Sequence, residues 1–124
     1  MLRSLLFVGA GGAVGSMARY GIGHITSKYI HNPFPVGTFI INIIGSLIIG
    51  ILFGLLSRNN SWLEQGGYLL LASGFCGGFT TFSTFALDNI TLMQKGQSVT
   101  AIIYTALSVV IGLLLCRVGI WIAG

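Results

Sequence analysis

Gly74-Phe75-Cys76-Gly77-Gly78-Phe79-Thr80-Thr81-Phe82-Ser83-Thr84-Phe85 lies at the centre of an apolar segment running from about Gly66 to Met93. A bilayer crossing takes about 20 apolar residues, so the segment is long enough to span, yet its middle is not written like a lipid-facing helix. Paired glycines followed by hydroxyl and aromatic side chains have poor helix propensity. Irregular backbone at membrane depth persists only where protein buries it or where it lines a polar cavity. We therefore expect a helix broken at Gly77 to Thr81, with carbonyls freed into an interior. Discontinuous helices hold cations in this way, although a kink packed against its neighbours would leave the same sequence.

Composition extends this reading to the whole chain. Its 124 residues are 54% hydrophobic and 6% charged, with a mean hydropathy of +0.93, whereas soluble domains carry about 25% charge. An ordinary cytosolic domain is excluded. Three further spans are expected, at about Leu2 to Ser27, Val36 to Ser57 and Ser98 to Ile122. The fold class is then an all-α membrane protein of four helices, one unit over residues 1–124. The apolar run beyond Ala13 reads as a span rather than a cleaved leader. Pro33 and Pro35, each lacking a donor and restricting its predecessor, end the first helix. Arg58-Asn59-Asn60-Ser61 and Lys95-Gly96-Gln97 make the other turns, with Trp62 at an interface and Glu64 beside it. Cys76 and Cys116 sit in apolar runs without a CxxC spacing and read as small packing residues. The net charge of +4 is six basic residues less two acidic ones, and the basic residues are scattered and form no nucleic-acid patch.

Polar residues recur at helical spacing. Thr38, Asn42, Ser46, Gly50 and Gly54 follow one another every four residues on the second span, as do Thr100, Tyr104, Ser108, Gly112 and Cys116 on the fourth. Small-residue helix packing gives the same pattern. Asn42 and Tyr104 ask for more, because a carboxamide or a phenol in hydrocarbon must find partners. In the first span Gly11 and Gly15 form a GxxxG pair, and Arg19 either faces a positively charged vestibule or snorkels to the interface. His24, Lys28 and His31 read as solvated surface, and Asp88, beside Asn89, as a hydrogen-bonded group.

Donors dominate this interior: hydroxyls of Thr38, Ser46, Thr80, Thr81, Ser83, Thr84, Tyr104 and Ser108, the amide of Asn42 and the cation of Arg19. Carboxylates are nearly absent, so neither a cation path nor a proton-coupled carrier fits well. A small anion does. Phe82 and Phe85 lie three apart on one helical face, and the edge of an aromatic ring is electropositive, although plain aromatic packing explains them too. No nucleophile and base occur at a plausible spacing, so the chain is not read as an enzyme.

Gly11 to Tyr20, Pro35-Val36-Gly37-Thr38 with Asn42 and Gly45, and above all Gly74 to Phe85 make the chain resemble the CrcB/Fluc fluoride channels over essentially its whole length. The resemblance implies an antiparallel, dual-topology homodimer in a prokaryotic cell membrane that passively exports fluoride from the cytoplasm and so limits its toxicity. It implies two fluoride pathways and a structural, untransported Na+ on the two-fold axis, held by backbone carbonyls of Gly77 and Thr80. By the same resemblance the fluoride pathway takes in Asn42, Phe82, Phe85, Thr38, Ser83, Tyr104 and Ser108, with Arg19 in the vestibule. Ala86 stands where the family often has serine, and Asp88 where it often has glutamate. Charge is balanced between the ends, with Arg3, Arg58 and Arg117 on one side and Arg19, Lys28 and Lys95 on the other, so the positive-inside rule sets no orientation. The alternatives are a small dual-topology multidrug-type exporter, for which the first span lacks a membrane carboxylate, and a non-transporting assembly subunit.

Overall fold

A computed structural model describes residues 1–59 and 61–124, leaving Asn60 of the expected turn outside the described residues. Among the described residues, four helical spans are long and apolar enough to cross a membrane. Helix α1 (Leu2–Tyr29) ends where the Ile30 N–H bonds back to the Thr26 carbonyl, just ahead of the two prolines. Helix α2 (Val36–Leu56) carries no charged residue and starts directly after Pro35. Asn59, at φ 57°, turns the chain out of it, a left-handed conformation that asparagine tolerates better than most residues.

The third span, Leu63–Gln94, is the irregular one. Gly66 adopts φ 122° at its start, and a Cβ there would strike the Phe7 ring. Residues Leu63–Gly67 and Leu69–Cys76 are wound as π-helix, so that the Tyr68 N–H reaches Leu63 and the Gly77 N–H reaches Ala72, five residues back. A short turn, α3 (Gly77–Phe79), follows. Thr80 (φ −82°, ψ 159°) and Thr81 (φ −153°, ψ 122°) are then extended, and α4 (Phe82–Gln94) resumes the helix. The break expected over Gly77 to Thr81 is thus confined to two threonines. The glycines before it remain helical, because Gly78 serves close packing: a Cβ on it would lie 2.6 Å from the Gly12 carbonyl oxygen. Helix α5 (Ser98–Ala123) completes the chain after a tight turn at Gly96, φ 75°.

Two glycine-faced pairs make the bundle. α1 lies on the third span, with Gly11 and Gly15 against the backbone of Leu70 and Phe75, and Gly74 and Gly78 against Val8 and Gly12. α2 lies on α5, with Gly50 against the Cys116 carbonyl, Gly54 against that of Ile120 and Gly119 against that of Leu47. Such approach replaces side-chain volume by backbone contact, which drives helix association where lipid offers no hydrophobic gain. Leu52, Leu63, Ala72 and Cys76 form one buried cluster between the pairs, and Leu92, Ala101 and Tyr104 another, under Phe34, Phe39 and Phe85. Gly78→Ala should cost about 1–3 kcal/mol, since the obstructing atoms are backbone and cannot swing aside. Thermal unfolding in detergent checks this, and an unchanged midpoint would mean that α1 slides to make room.

Candidate functional site

The two extended residues at the break leave backbone groups that need partners, and α2 supplies them. The Asn42 side-chain oxygen accepts from the Thr81 N–H at 2.9 Å, and its Nδ2 donates to the Thr81 carbonyl at 3.1 Å. One carboxamide thereby satisfies both backbone groups of the most extended residue. One of its two amide hydrogens remains. The Thr81 hydroxyl caps α4, accepting from the Thr84 N–H at 3.2 Å and donating to the Thr84 hydroxyl at 3.2 Å. The Ser83 hydroxyl lies 3.3 Å from the same oxygen.

Arg19 reaches the break from the other side. Its Nε donates to the Gly78 carbonyl at 3.0 Å, taking an acceptor that an uninterrupted helix would give to the residue four positions on. The Gly77 carbonyl loses its helical donor as well, because the Thr81 N–H points to Asn42. Thr80 likewise loses the Thr84 N–H to the Thr81 hydroxyl.

Two cavities flank this junction. One, of about 560 Å³, is lined by Arg19, His24, Ser27, Thr38, Thr81 and Thr84 among others. The other, of about 530 Å³, is lined by Asn42, Ser46, Thr80, Phe82, Phe85 and Ser108, again among others. Thr81 is the one described residue on both walls, and neither wall carries a carboxylate. Ser46 spends its hydroxyl on the Asn42 carbonyl at 2.8 Å, and Thr80 on that of Cys76 at 2.8 Å. Ser108 does not. Its hydroxyl oxygen is buried and is the one such side-chain atom among the described residues without a partner. Phe82 and Phe85 face the same cavity with ring centroids 5.9 Å apart, and Phe82 is 80% exposed.

The structure thus brings Asn42, Phe82, Phe85 and Ser108 onto one wall and Thr38 and Arg19 onto the other. Ser83 and Tyr104 line neither. Tyr104 is fully buried, donates its phenol to the Asp88 carboxylate at 3.0 Å and packs against Phe34 and Phe85. One residue on, the Thr105 hydroxyl donates to Asn89 at 3.0 Å, so two adjacent polar bonds lock α4 to α5. The hydrogen-bonded role expected for Asp88 is met by Tyr104 itself. Arg19 lines a cavity and also bonds the break, a double use that spacing could not reveal because its partner is a main-chain carbonyl. Donors on both walls, a positive charge at one mouth and no carboxylate suit a small anion that gives up its water.

Comparison with known proteins agrees on one family. The family described as CrcB-like protein, Camphor Resistance (CrcB) matches residues 6–120. A protein of Flavobacterium psychrophilum named fluoride-specific ion channel FluC is 38% identical over 122 residues, covering 98% of both chains. The protein of that name from Nitrobacter winogradskyi is 45% identical over 120 residues, covering 97% of this chain and 90% of its own.

Proposed function

We propose that this chain, which belongs to the CrcB family, is a fluoride-specific ion channel, and that fluoride moves between the Arg19 cavity and the Ser108 cavity past Thr81 and Asn42. The observation that carries this path is the unpartnered Ser108 hydroxyl. A buried hydroxyl left unbonded costs about 1–3 kcal/mol, and a passing anion would satisfy it. The spare Asn42 hydrogen and the edges of Phe82 and Phe85 are the other groups able to replace water around an anion at that depth.

The cavity holding Ser108 is not enclosed, and Phe82 on its wall stands exposed. A second copy would close it. The even division of basic residues between the two ends supports an antiparallel partner, since each orientation then inserts equally well. In that pair the carbonyls of Gly77 and Thr80, stripped of their helical donors, would hold a Na+ ion. The ion would supply fixed positive charge at the junction and would not be transported. Permeation needs no energy coupling. Hydrogen fluoride that enters from outside dissociates in a near-neutral cytoplasm of a prokaryotic cell, and the trapped anion leaves down its gradient.

Liposomes reconstituted with the purified chain and loaded with fluoride should release it rapidly when a potassium ionophore relieves the charge, and should retain chloride. No efflux, or efflux only against a proton gradient, would overturn the reading.

A further inference from the structure

Arg3, Arg58 and Arg117 gather with both tryptophans, Trp62 and Trp121, at the end of the bundle where α1 begins and α2 and α5 finish. Two of these arginines are spent within the chain. Arg3 donates to the Gln65 carbonyl at 3.2 Å and lies over the Phe7 ring, and Arg58 donates twice to the Gly124 carbonyl, at 2.9 and 3.0 Å. Arg117 is exposed and, among the described residues, engaged in no hydrogen bond or ion pair.

Its depth asks for a partner. The 26 residues of α5 span about 39 Å against a hydrocarbon core of about 30 Å, and Arg117 lies about 10 Å before Gly124. A centred α5 therefore holds the Arg117 backbone about 6 Å inside the hydrocarbon boundary, from which its long side chain reaches back to the headgroups. Trp121, one turn on and 78% exposed, stands on the same face at the level where indole rings settle. We propose that Arg117 and Trp121 form a binding site for the headgroup of an anionic phospholipid, whose acyl chains run along the exposed Leu113 and Leu114.

Charge selects that occupant. The guanidinium fork takes phosphate oxygens two at a time. No acidic residue lies on α5 to compete, and the carboxylate side chain at this end, Glu64, belongs to the start of the third span, which among the described residues packs on α1 and α2 and not on α5. With Arg3 and Arg58 adding positive charge at the same end, a headgroup of net negative charge is preferred to a zwitterionic one.

The site contains its own reporter. Trp62→Phe leaves Trp121 as the chain's one tryptophan, and its fluorescence is read in phosphatidylcholine vesicles containing lipid brominated on its acyl chains. At about 10 mol%, brominated phosphatidylglycerol should quench about threefold more than brominated phosphatidylcholine, because one arginine near a charged surface enriches an anionic lipid about fivefold. Arg117→Gln should erase the excess, Arg117→Lys should keep part of it and Arg3→Gln should leave it intact. Equal quenching by the two lipids, as when a second copy covers this face, overturns the proposal. So does an excess that survives Arg117→Gln or is lost in Arg3→Gln. An excess abolished by inorganic phosphate, but not by sodium chloride of equal ionic strength, makes this a site for free phosphate and overturns the lipid assignment. Fluoride efflux is read separately, so the channel reading stands or falls on its own.

Discussion

Replacing Phe82 and Phe85 together by isoleucine should lower fluoride efflux about thirtyfold while leaving the chain folded. Each ring edge offers a dehydrated anion a quadrupole contact of about 1 kcal/mol, and losing two raises the barrier by about 2 kcal/mol. Isoleucine keeps apolar volume but has no electropositive edge. Phe82 is 80% exposed, so its removal barely touches packing within the chain, whereas Phe85 contacts Tyr104 at 5.0 Å between centroids. Efflux normalised to reconstituted protein, with size-exclusion behaviour in detergent as the folding control, checks the result. Unchanged efflux would make the two rings ordinary packing residues.

Asn42→Asp is the more severe substitution. A carboxylate can still accept from the Thr81 N–H, but it can no longer donate to the Thr81 carbonyl, and it sets a negative charge beside the one described residue shared by the two cavities. At an effective dielectric of about 20, a charge 4 Å from a passing anion opposes it by about 4 kcal/mol, so flux should fall at least about a hundredfold. Asn42→Ala separates the two effects. It removes both bonds to Thr81 without adding charge, and should lower stability as well as flux. Should the aspartate variant conduct at the parental rate, the path does not pass Asn42.

Much of this arrangement was legible in the sequence because membrane composition leaves few options. Four spans followed from hydropathy and prolines alone, and each helix end falls within a few residues of its expected place. The break was legible too, since Thr80 and Thr81 follow a glycine pair that no lipid-facing helix needs. Its extent was not, because Gly77 and Gly78 look like breakers in one dimension and prove to be packing surface only when Gly12 is set against them. The π-helical winding from Leu69 to Cys76, with the Gly77 N–H on the Ala72 carbonyl, left no sign in composition or spacing. Tyr104 shows the complementary limit. Its place in a polar stripe shows that the phenol needs a partner at depth, but the stripe records only direction, and the carboxylate that takes its hydrogen sits sixteen residues earlier on another helix.

The groove beside Phe82 also bears on how such a protein can be made safely. A furrow open along one side to acyl chains cannot keep a continuous file of water against lipid. A newly inserted, unpaired copy would therefore present a sealed surface rather than a leak. Under the antiparallel pairing proposed above, copies could then enter the bilayer without discharging the membrane potential, and permeability would begin only where two of them meet.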